Sequence, residues 1–132
     1  MAKITSYYKG DMLTETKIGK HTIATDVPEG WGGKDRGPTP PQVFVASLGG
    51  CVVALVANYC HKSGLDAEGL SVDVTFEKIS DPSRLSDVKI QINLPNADVS
   101  GREKAILKVA EHCPVHETIC SLEAVEMEVK GK

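Results

Sequence analysis

The sequence has no run of lysines and arginines, no apolar stretch at its start, no internal repeat and no low-complexity segment. The first absence argues against nucleic acid or an anionic membrane as a partner, and the net charge of −3 agrees. The second leads us to expect no secretory signal and hence a cytoplasmic protein. Without repeats or linkers, 132 residues are expected to form one domain, 1–132. Cysteine is sparse, with four residues. In a reducing compartment these serve chemistry or packing better than a disulfide scaffold. The longest mostly apolar stretch, 43–59, is broken by Ser47 and Asn58. It falls short of a comfortable bilayer span and reads as a buried core helix, so no membrane role is expected.

What is present has a clear order. Residues 4–8, 12–18 and 21–25 read as a three-stranded meander, with turns at Lys9-Gly10-Asp11 and Gly19-Lys20. The glycine- and proline-rich segment 27–38 must be loop. Thr39, Pro40 and Gln42 make a capping box that opens a long helix, and Ser63-Gly64 ends it. Residues 70–79 and 88–94 alternate apolar and polar, as half-buried antiparallel strands do. A second helix is expected from Ser100, with Glu103 closing a capping box and Ile106, Val109, Ala110 and Cys113 as its apolar face. Pro114 interrupts it, a short further turn follows, and 122–129 reads as a closing strand with Val125, Met127 and Val129 inward. The class is α+β, with helices on one side of antiparallel sheets.

The long helix has no polar stripe, so it is expected to need cover on every side, from other helices or a second chain. At its middle stands Ser47-Leu48-Gly49-Gly50-Cys51. Each glycine costs a helix interior about 1 kcal/mol relative to alanine. We read the pair as allowing close approach of another backbone; room for a bulky neighbour is the other reading. Cys51 and Cys60 are nine positions apart, so they face opposite sides of the helix. Cys60 reads as packing. Cys51 sits in an apolar wall that opposes thiolate formation unless a cation is near. An inert thiol and an activated one both fit. Arg36, in the loop before the helix, is the sole arginine in the first 83 residues. It is either solvated or folded over the helix.

The segment EHCPVHETIC holds His112, Cys113, His116 and Cys120. A zinc site is one reading, but adjacent His112 and Cys113 diverge on a helix and no second ligand pair supports them, so no metal is expected. A histidine tuning a thiolate is another. A third is a redox pair, with Cys113 on the inward face of its helix meeting Cys51.

GPTPPQVFVASLGGC, followed some sixty residues later by AEHCPVHETI, resembles the OsmC/Ohr family of thiol peroxidases. The likeness covers nearly the whole chain. It implies the OsmC-like fold, antiparallel sheets packed on a long central helix, in an intertwined homodimer with two sites at the subunit interface. It also implies Cys51 as peroxidatic thiol and Cys113 as resolving thiol. An organic hydroperoxide would be the substrate, a dithiol or lipoyl-bearing protein the reductant, and no cofactor is called for. Arg36 stands as the candidate activating cation, and Gln42 and Phe44 as candidate substrate contacts. The family's efficient peroxidases carry a glutamate about ten residues before the first cysteine; here that position is Pro41. The alternative reading is a ligand-binding or redox-sensing protein with little turnover.

Overall fold

Tight turns at 10–12 and 19–20 fold the first residues into an antiparallel meander in the computed structural model, which describes residues 1–132. Its strands are β1 (Thr5–Tyr8), β2 (Thr14–Ile18) and β3 (His21–Thr25), in the order β1-β2-β3. Thr5 pairs with Lys17, and Thr14 pairs with both Tyr8 and Thr25. A loop with one short 3-10 turn, Glu29–Trp31, then leads to the long helix α1 (Pro40–Ser63). The capping box forms as the sequence predicts. The Thr39 N–H donates to Gln42 Oε1 at 2.9 Å, and the Gln42 N–H donates to Thr39 Oγ1 at 3.4 Å. At the other end Gly64 takes a φ of +70°, and the Leu65 N–H returns to the Cys60 carbonyl. The left-handed glycine and the bond from Leu65 back over five residues make a glycine-capped terminus.

The chain clusters into two compact units, Met1–Ala46 and Ser47–Lys132, with α1 crossing the boundary. The second unit holds the hairpin of β4 (Ser71–Ile79) and β5 (Arg84–Asn93), then α2 (Glu103–Glu111) and α3 (Pro114–Ser121). Its core is a stripe of α1 residues four apart, Leu48, Val52, Val56 and Cys60, packed with Ile106, Ala110 and Cys113. Val72, Val74, Ile90 and Ile92 close over that stripe from the hairpin. Val52 and Val56 are fully buried, and burial of each such side chain contributes about 1.5–3 kcal/mol. Tyr59 accepts a long hydrogen bond from Arg102 Nη1, tying α1 to the start of α2. By length and composition α1 would also cross a membrane, a test that buried core helices pass too.

Within one chain α1 is not covered all round: Phe44 is 49 % exposed, and Gly50 and Ala54 are open as well. Several expectations need correction. No other backbone of this chain approaches the paired glycines. A Cβ on Gly49 would meet a Val74 methyl at 3.4 Å, and one on Gly50 would meet nothing. Gly49 therefore makes room for a side chain. The predicted capping box at Ser100 does not form, because Gly101 turns left-handed and α2 starts only at Glu103. In the hairpin Thr75 faces Lys89 but Glu77 faces Ser86, so Asp87 and Val88 oppose Phe76 alone. This bulge breaks the alternation, and Phe76 and Val88 are exposed. Residues 122–132 form no strand, and Val125, Met127 and Val129 stand in solvent. Alternation specifies faces, but a strand also needs a neighbour for its backbone groups.

Candidate active site

The second unit brings two of the sequence's candidate residues together. Cys51, midway along α1, is disulfide-bonded to Cys113 across 62 positions of chain, with a Cα–Cα distance of 5.9 Å. That spacing suits a disulfide, so the backbones need not move for the bond to form. Cys113 is fully buried and Cys51 partly so, both against the apolar core. Cys60 remains a free thiol in that core, and Cys120 a free exposed one.

Cys113 also ends one helix and starts the next. It is the N-cap of α3, Pro114 takes the first helical position, and Cys113 Sγ accepts the His116 backbone N–H at 3.5 Å. A helix N-terminus carries partial positive charge and unpaired N–H groups. The same feature steadies a thiolate at this sulfur. Pro114 thus interrupts the helical run as the sequence predicts, and it also opens α3 from the first helical position.

Arg36 lies in the first unit, exposed on one side but held in place by ion pairing and hydrogen bonds. Its Nε donates to Asp26 Oδ2 at 2.7 Å, and Nη2 donates to the Asp11 carbonyl at 2.9 Å. Asp26 is 1 % exposed and also accepts the backbone N–H groups of Val27, Lys34 and Arg36. The Arg36 side chain, above all, holds the Asp26 carboxyl far below the ordinary carboxylate range, with the backbone donors adding to it against the cost of burial. The same pairing raises Arg36. Sequence reasoning missed Asp26, because nothing in a lone aspartate at a strand end marks the loop that closes on it. Gly33 packs inside that closure. A Cβ there would run into the Val27 carbonyl and the Asp26 carboxylate. Gly33→Ala is therefore expected to spring the 26–36 loop, costing about 2 kcal/mol or more; urea unfolding measures it, and a cost under about 0.5 kcal/mol would mean the loop is not held this way.

Gln42 spends its side-chain oxygen on the α1 cap, and Phe44, two residues on, stands half exposed. In the histidine- and cysteine-rich segment the four potential ligands do not converge on one point. Cys113 joins Cys51, His112 faces Glu117 at 3.9 Å, and His116 turns toward Cys120. A broad concavity of about 760 Å³ lies over the hairpin beside Val72, Val74 and Ile90, and no cysteine lines it.

Two antiparallel sheets, a long apolar helix and a disulfide joining that helix to the start of a later one define an α+β protein built on a core cysteine pair. The chain belongs to the OsmC-like protein family, whose model matches residues 32–130. It is similar in structure to an osmotic stress induced and detoxification response protein of Psychrobacter arcticus 273-4, at 26 % identity and a TM-score of 0.79, covering 89 % of this chain and 88 % of the other. An OsmC-like protein of Mycoplasma pneumoniae follows at 20 % identity and 0.71, covering 91 % and 87 %. An organic hydroperoxide resistance protein OsmC of Legionella pneumophila matches at 18 % and 0.65, covering 90 % and 88 %. No curated protein sequence matches the chain.

Proposed function

We propose that the chain is a cysteine-based reductase of organic hydroperoxides, acting as a homodimer in the cytosol. The observation that carries the reading is the Cys51–Cys113 pair, held by separate helices in an apolar core. The Cys51 thiolate attacks the distal oxygen of ROOH, the O–O bond breaks, and ROH leaves with a proton. Cys51 remains as a sulfenic acid. The Cys113 thiol attacks that sulfur, water leaves, and the disulfide forms. An external dithiol, free or on a lipoyl-bearing protein, gives up two electrons, becomes a disulfide and restores both thiols. The cycle calls for no metal or cofactor.

Burial supports an order for the reductive half. Cys51 is the less buried residue of the two, which supports its sulfur as the one the incoming thiolate meets first. Cys113 then leaves, and the α3 N-terminus with the His116 N–H stabilises the departing thiolate. A better-stabilised thiolate leaves faster. Arg36, oriented by Asp26, is the proposed source of positive charge for Cys51, and Gln42 and Phe44 are the proposed substrate contacts. The name of the Legionella relative and an apolar setting for Cys51 support an organic substrate. Turnover of cumene hydroperoxide with dihydrolipoamide tests the reading. A rate no faster than that of a free thiol would overturn it in favour of ligand binding or redox sensing.

The open face of α1 supports the homodimer, since a second copy would dry Gly50 and Ala54. Ala54→Glu places a charge on a side chain already exposed in the single chain. Its thermal unfolding as a protomer should change little, while light scattering should show the mass halved. A variant that remains a dimer would remove this face from the interface.

A further inference from the structure

Helix α3 carries a thiol–imidazole pair whose side chains the proposed cycle does not use. His116 and Cys120 are one helical turn apart on the same face, with Cys120 Sγ 3.6 Å from His116 Nε2. The other ring nitrogen, Nδ1, lies 2.9 Å from the Glu111 carbonyl. A carbonyl only accepts, so Nδ1 carries the hydrogen and Nε2 of the neutral ring is left as acceptor for the thiol. A nucleophile, a base within reach and a third group orienting the base form the arrangement that activates cysteines. Cys120 is exposed. His116 is half-buried and stands in the wall of an apolar cavity of about 100 Å³, with Ile90, Ile92, Leu107, Ala110 and Glu111. Of the other titratable side chains on this segment, Glu111 lines the same cavity, while His112 and Glu117 face each other rather than the pair.

We propose that Cys120 is a second reactive thiol, with His116 as its base, and that it forms mixed disulfides with small disulfides bearing an uncharged substituent suited to that cavity. His116 Nε2 takes the thiol proton. The Cys120 thiolate attacks one sulfur of RSSR, the new Cys120–SR bond forms, the old S–S bond breaks, and RS⁻ leaves, taking the proton back from His116. The oxidant is the small disulfide, so Cys51 and Cys113 stay joined throughout.

The test uses the whole protein with the Cys51–Cys113 bond intact and dithiodipyridine as the neutral probe. Modification is followed on the Cys120 peptide by mass spectrometry, which separates it from Cys60. Folded Cys120 should react at least about tenfold faster than the same thiol in guanidinium-unfolded protein at equal pH. His116→Gln should bring the folded rate down to the unfolded one, with circular dichroism reporting that α3 persists. Glutathione disulfide, which is charged, should gain less from folding than the neutral probe. A folded rate no faster than the unfolded rate would overturn the proposal, and needs no variant to be seen. A well-folded His116→Gln protein that keeps the wild-type rate would overturn it as well.

Discussion

Cys51→Ser is expected to abolish dithiol-dependent hydroperoxide reduction, a loss on the order of a thousandfold or more. A hydroxyl at this position cannot form the sulfenic acid on which the later steps depend. Cys113→Ser should fail differently. The first oxidation proceeds, one equivalent of peroxide is consumed, and dimedone traps a sulfenic acid on Cys51. Serine is close in size to cysteine, so far-UV circular dichroism should show both variants folded. Retained turnover in Cys51→Ser would remove this sulfur from the chemistry. The pair also bears on stability. Closing a loop of 62 residues stabilises the folded state by roughly 4 kcal/mol on a chain-entropy estimate. The oxidised protein should therefore unfold at higher urea than the dithiol form, by up to that amount, and the gap should vanish in either serine variant.

Asp26→Asn is the second substitution expected to act strongly, and its signature is a pH dependence. The Asp26 carboxyl is depressed by Arg36 and by three backbone donors. Its folded pKa thus lies below the unfolded value of about 3.9. A group depressed on folding contributes stability that is fully present above the unfolded pKa. That contribution fades as pH falls below about 4 toward the folded value. Asp26→Asn should lower the unfolding midpoint at neutral pH, and its gap to wild type should narrow on acidification below about pH 4. A gap that stays constant from neutral to acid would assign the cost to packing rather than to the charge. If Arg36 supplies the field at Cys51, loss of its anchor should also lower kcat/KM about tenfold. Unchanged kcat/KM in a folded variant would separate Arg36 from the thiol.

Much of this molecule was legible before any coordinates. Thr39 and Gln42 announce the start of α1 because capping is local and its partners are three residues apart. Alternation located β4 and β5, since strand faces repeat every two residues. Where the structure departs from the sequence's expectations, a missing partner, a left-handed glycine or a bulge is the cause. Residues 122–132 alternate well enough at 125, 127 and 129, yet no strand of this chain pairs with them. Ser100 has a glutamate three residues on, but Gly101 turns the chain away before a helix can close. Alternation places Phe76 on one face with Val72 and Val74, but the bulge at this point leaves Phe76 and Val88 exposed.

By itself, then, the sequence determined the helices and strands whose signals lie within a few residues, and the apolar wall in which Cys51 had to stand. Tertiary structure alone decided which residues meet across long separations. It joined Cys51 to Cys113, folded the 26–36 loop so that Asp26 takes hold of Arg36, and made Cys113 the cap of a helix that Pro114 restarts. Such pairings depend on where several turns deliver their chains, and no local propensity carries that sum.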